Sequence, residues 1–146
     1  MSAFVFDQRS EIAAAIRAEL SAGIESKHDL LTQVATALAF PSYFGGNWDA
    51  FEECICDLSW LPPGDVVIVH QDLPLGHDSE GRSTYLAILR DAVENWKSRG
   101  SNLIFAASHQ AEEASIQAAP VHRHLFIVFP AELRSSIEPF CSQNEP

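Results

Sequence analysis

Asp49, Glu52 and Glu53 place three carboxylates within a short stretch of chain, and no Lys or Arg occurs between Lys27 and Arg82. Paired carboxylates such as Asp49 and Glu53 are the residue types of general acid–base catalysis. That chemistry also wants a nucleophile, a phosphate loop or a pocket, and the flanking sequence supplies none, so an enzyme is not expected. Cys54-x-Cys56 is too closely spaced for a zinc knuckle, and His122-x-His124 offers two imidazoles without a third ligand nearby. No metal and no cofactor are therefore expected. The chemistry left to clustered, uncompensated carboxylates is recognition: they accept charge-assisted hydrogen bonds from guanidinium and ammonium groups.

These carboxylates need an element to carry them. Trp48, Phe51, Ile55 and Leu58 recur at helical spacing and define one apolar face of a helix over about 48–58. Asp49, Glu52, Glu53 and Cys56 fall on the opposite face. Carboxylates this close on a helix repel by a few tenths of a kcal/mol per pair. The helix N-terminus favours anions and rationalises two of them, but does not require three. A glycine-bearing loop, Tyr43-Phe44-Gly45-Gly46-Asn47, precedes the helix, and Trp60-Leu-Pro-Pro-Gly64 breaks the chain after it. Cys54 is expected as a packed free thiol and Cys56 as an exposed one.

Charge sets the class of partner. The chain has 146 residues, with 20 Asp and Glu against nine Lys and Arg, a net charge of −11. Nucleic-acid binding requires Lys and Arg to displace counterions, so direct nucleic-acid contact is disfavoured. Acidity alone often serves solubility. Here, however, residues 28–81 carry nine carboxylates and no Lys or Arg, a one-sided distribution that suits a basic partner. No apolar run approaches the roughly 18 residues of a membrane span. Met1 to Phe6 lacks the pattern of a secretory signal, and the odd count of three cysteines has no framework spacing. A cytoplasmic protein with reduced thiols and no membrane contact is expected.

The remaining pattern reads as α/β. Ala3–Phe6 suits a short strand. Ser10 offers a cap to a helix carrying Ile12, Ile16 and Leu20, stopped by Gly23. A second helix runs over 27–39, capped by Ser26, with Leu30, Leu31, Val34 and Leu38 as its stripe and Pro41 beyond its end. Val66–Val69 is a β-branched run suited to a strand buried on both faces. Residues 71–82 read as an acidic loop, 83–99 as a helix ending at Gly100, and Leu103–Ala107 as a buried strand. Residues 108–120 read as a polar helix or loop, Leu125–Phe129 as a further strand and 131–140 as a last short helix. One domain is expected at this length.

The stretch Phe40-Pro-Ser-Tyr-Phe-Gly-Gly-Asn-Trp-Asp-Ala-Phe-Glu-Glu-Cys-Ile55 resembles the signature of the barstar family, protein inhibitors of barnase-type ribonucleases. Pro41, Tyr43, Phe44, Gly45, Asn47, Asp49, Ala50, Phe51, Glu53 and Cys54 carry the likeness. It extends over about 26–107, with an N-terminal strand and helix over 3–23 before it and a C-terminal extension over 108–146 after it. The resemblance implies a small parallel sheet of about three strands with helices packed around it, to which the C-terminal strand and helix are an addition. It implies that the loop and acidic helix plug a basic ribonuclease active site and mimic substrate phosphate, as an antidote or immunity protein would against a ribonuclease-like toxin. Tyr43, Gly45, Asn47, Trp48, Asp49 and Glu53 are then partner-binding.

Two positions depart from the founding inhibitor. Glu52 stands where it has an aromatic contact, and Asn95 falls near a further acidic contact, with Glu94 beside it. Both remain candidate partner-binding positions. The rival readings are an acidic module for some other basic protein and, less favoured, an enzyme using Asp49 and Glu53 on small basic or glycosidic substrates.

Overall fold

The computed structural model describes residues 4–6, 14–42, 44–109 and 123–141. Four strands form one parallel sheet: β1 (Phe4–Phe6), β2 (Ile16–Glu19), β3 (Val66–Val69) and β4 (Leu125–Phe129), in the order β1-β4-β3-β2. The helices are α1 (Lys27–Ala37), α2 (Trp48–Asp57), α3 (Ser79–His109) and α4 (Arg134–Cys141), the last entered through a 3₁₀ turn at Ala131–Leu133. The fold is thus α/β with helices around a parallel sheet, as the sequence implies.

β3 explains its own central place. All four of its residues are buried, which a parallel sheet covered on both faces demands. Its partner β4 comes from beyond the stretch of resemblance, yet lies inside the sheet with β1 on its other side. Ile68 pairs with Ile127, and Ile127 with Phe4, so one layer of the core runs through three strands from three distant parts of the chain. The helices close on this face with Leu30, Val34, Phe51, Ile55, Tyr85, Leu89 and Trp96.

Two expectations are corrected. Residues 16–19 are a strand, not part of a helix: Ala18 and Leu20 are buried while Arg17 and Glu19 are exposed, and that period of two puts Ile16, Ala18 and Leu20 on the core face. Residues 10–13 lie outside the described residues. Residues 103–107 are not a strand either, because α3 runs without a break from Ser79 to His109, past Gly100. An apolar run of five residues fits either element, and a single glycine costs a helix only about 1 kcal/mol. The same helix begins inside the expected acidic loop, with Asp78 Oδ1 accepting from Gly81 N at 2.9 Å. Residues 110–120 fall outside the described residues.

A buried polar pair ties the sheet to α3. His70, one residue past β3, is 1% exposed and its ring stacks on Phe129 at 4.1 Å. Its Nδ1 lies 3.1 Å from the Val128 carbonyl, which can only accept, so Nδ1 carries the proton. Nε2 is then an acceptor, and the Tyr85 hydroxyl donates to it at 2.7 Å. Burial lowers the His70 pKa to about 4 from the usual 6.5 and raises that of Tyr85. The unfolded chain therefore binds this proton at higher pH than the folded one. The contribution of neutral His70 is complete above pH 6.5 and is lost as pH falls toward 4, on the order of 3 kcal/mol in all. An NMR titration checks this directly: the His70 ring is expected to stay neutral down to about pH 5, and a midpoint near 6.5 would contradict the buried pair.

Candidate functional site

The loop before α2 is built to start that helix and to leave Asp49, in its first turn, in solvent. Gly46 has φ +75°, a left-handed conformation that a side chain resists, and nothing stands where its Cβ would be. The turn delivers Asn47 in extended conformation as N-cap, its Oδ1 accepting from Ala50 N at 2.8 Å. Asn47→Ala is expected to cost about 0.5–2 kcal/mol of stability in urea unfolding. A loss below that range would mean that the cap does not hold the helix start.

Behind the loop sits an aromatic cluster. Phe40 packs edge-on against Phe44 at 5.1 Å and Trp60 at 5.7 Å, and Trp60 Nε1 donates to the Leu38 carbonyl at 2.9 Å. The half-buried Trp48 ring lies 6.2 Å from Phe51 and 6.4 Å from Tyr85. The spacing that put Trp48 on the apolar face of α2 is met in part, since the ring packs against core residues and is still partly exposed.

The apolar face of α2 is the expected one: Phe51, Ile55 and Leu58 are 0% exposed. Asp49, Glu52, Glu53 and Asp57 are exposed, and among the described residues none of them makes an ion pair or a side-chain hydrogen bond. Gly45 and Asn47 are exposed beside them. Tyr43 lies outside the described residues. Asn95 is exposed on α3, one turn from both Asp91 and Arg99, and those two residues act electrostatically on Cys56 of α2 together with Glu52. The packing of α3 on α2 therefore brings the Asn95 row alongside the acidic helix, whereas the neighbouring Glu94 is paired to Lys97 at 3.6 Å.

The thiols are half as expected. Cys54 is buried and free, but Cys56 is half-buried, because Arg99 and α3 cover that side of the helix. Burial raises both thiol pKa values, and the neighbouring Asp57 and Glu53 raise that of Cys54 further. Such thiols are poor nucleophiles. A cleft of about 360 Å³ beside them is lined by Glu53, Cys54, Cys56, Asp57 and Arg99. No group of three or more metal-ligating side chains occurs among the described residues. His124 instead lies 3.4 Å from Asp65, and His122 is outside the described residues.

Sequence reading missed Arg99. Its guanidinium donates to the Cys56 carbonyl and lies over the Trp96 ring at 4.1 Å. α2 has no basic residue in its own last turn, where the macrodipole favours one, and α3 supplies it. Only the tertiary packing shows this.

The fold and the site together are those of a parallel α/β scaffold that exposes one capped, carboxylate-bearing helix behind a glycine loop. The chain belongs to the barstar family: the family model for barstar (barnase inhibitor) matches residues 15–108, more than half of it. No curated protein and no solved structure shows significant similarity to it. The match ends inside α3, before β4. No helix among the described residues is long and apolar enough to cross a membrane.

Proposed function

We propose that the protein inhibits a basic, barnase-type ribonuclease by inserting the 43–47 loop and the first two turns of α2 into its phosphate-binding cleft, as an antidote or immunity protein in the cytoplasm. The observation that carries this reading is that Asp49, Glu52 and Glu53 are exposed and without an ion pair among the described residues, on a helix whose other face is buried. Uncompensated carboxylates repel one another and gain nothing from their own fold beyond the dipole at Asp49. They gain when cationic donors arrive, and a cleft shaped for phosphate holds such donors at bidentate spacing. Asp49 and Glu53 are the anchors. Gly45, Asn47 and Trp48 border them, Tyr43 joins the interface on the strength of the family resemblance alone, and Glu52 and Asn95 belong to the rim, where exchange of residue type adjusts the choice of target. The protein itself does no chemistry; it denies RNA the active site. Direct contact with nucleic acid is no part of this function, since the surface offered repels phosphate.

The test is titration of a barnase-type ribonuclease with the protein while RNA cleavage is followed. Loss of activity at one equivalent supports the reading. Binding to basic proteins without loss of ribonuclease activity would favour the second reading, an acidic module for another basic protein.

A further inference from the structure

Lys27 and Arg99 lie at opposite ends of α2, each over a tryptophan ring, Trp48 of α2 for Lys27 and Trp96 of α3 for Arg99. Lys27 Nζ lies 5.7 Å over the ring of Trp48, the first residue of α2. Arg99 lies over Trp96 and donates to the carbonyl of Cys56, in the last turn of α2. Lys27 is not where its own helix would want it for stability. Lys27 opens α1, whose N-terminal dipole disfavours a cation. Arg99 extends from α3 across to α2.

Among the described residues Lys27 and Arg99 have no ion pair, although Glu53 and Asp57 line the same cleft as Arg99. Among the described residues Arg99 uses one hydrogen bond, to Cys56, of the five that a guanidinium can donate. The surface is thus a carboxylate row with a fixed positive charge at each end. For a partner that is cationic throughout, both ends would be repulsive, and rejecting such surfaces is how specificity is built alongside attraction.

We propose that Lys27 and Arg99 are specificity-determining residues: each receives a carboxylate that bounds one end of the partner's basic cleft, and together they exclude uniformly cationic surfaces. This rests on the reading of the chain as a ribonuclease inhibitor, and it adds the charge pattern that the target must present. A basic cleft with acidic ends matches; a featureless basic patch does not.

The experiment compares three full-length proteins at physiological ionic strength, where charges more than about 8 Å apart are largely screened. They are the parent, the double variant Lys27→Glu/Arg99→Glu, and the control Arg17→Glu/Arg134→Glu, which changes net charge equally on other elements. Each is measured against poly-L-lysine and against the ribonuclease that the parent inhibits. The test variant is expected to bind poly-L-lysine at least tenfold more tightly than the control does, and to bind the ribonuclease at least tenfold more weakly than the parent does. Equal tightening of both double variants on poly-L-lysine would overturn the proposal, as would tighter binding of the test variant to the ribonuclease. If the parent inhibits no ribonuclease, the inhibitor reading fails, and the poly-L-lysine comparison still decides whether these two cations limit the acidic surface. Lys27→Gln/Arg99→Gln, which keeps side-chain donors at both positions, is expected to shift both affinities in the same directions by smaller factors. It decides the matter should the glutamate variant fail to melt cooperatively.

Discussion

Glu53→Ala is expected to weaken binding to the target ribonuclease by a factor of about thirty to several thousand, with the melting point almost unmoved. Glu53 is exposed, has no ion pair or side-chain hydrogen bond among the described residues, and sits opposite the buried Phe51 and Ile55. Its removal relieves repulsion from Asp49 and Glu52, so stability is expected to stay within about 0.5 kcal/mol or rise slightly. In the complex the same carboxylate would be buried against cationic donors, and truncation leaves those donors unpaired. The loss of about 2–5 kcal/mol assigned to such a truncation rests on measurements of the barnase–barstar pair, from this very family, and is carried over rather than derived. Glu52→Ala is the control: same helix, same change of charge, no acidic counterpart in the family signature, and a smaller expected effect. Calorimetry of binding beside thermal melting of both variants separates the outcomes. Unchanged affinity in Glu53→Ala would remove Glu53 from the interface, and an unfolded variant would make it structural.

The second large effect concerns the end of the chain. The family match stops at residue 108, but β4 lies between β1 and β3. Removing everything after residue 122 would strip the sheet of an interior strand and leave β3 without its partner on that side. The truncated chain is expected to show no cooperative unfolding transition. Ile127→Asp tests the same point with one residue. Ile127 is 0% exposed and pairs with Phe4 on one side and Ile68 on the other. An unpaired carboxylate there is expected to cost more than about 4 kcal/mol, a large part of the 5–15 kcal/mol that holds a domain together. A truncated protein that melts like the parent would show that residues up to 122 suffice, and that β4 is dispensable.

Much of the site was legible because its signals are local. The spacing of Trp48, Phe51, Ile55 and Leu58 places α2 and its faces, and Ser26 and Asn47 cap their helices as short-range chemistry predicts. Val66–Val69 and Leu125–Phe129 declare themselves as strands by β-branched and aromatic content. What failed was either ambiguous or non-local. Ile16 and Leu20 fit a helical period, but Ile16, Ala18 and Leu20 also fit a period of two, and only pairing with β3 decides between them. Leu103–Ala107 is apolar enough for a strand, and no local feature says that helix α3 continues through it. Strand order is likewise a property of contacts across the whole chain, so a segment read as an addition turned out to be interior. The cations at the ends of α2 were hidden for the same reason: Lys27 and Arg99 come from different helices and meet the acidic row only after packing.

The measurement that bears most directly on the central claim is RNA cleavage by a barnase-type ribonuclease, barnase itself among them, titrated with this protein at physiological salt. The account predicts a linear fall to no activity at one equivalent, with the Glu53→Ala protein requiring a large excess. Cleavage that continues unchanged in a tenfold excess of the protein, with every basic ribonuclease of that type tried, would contradict it.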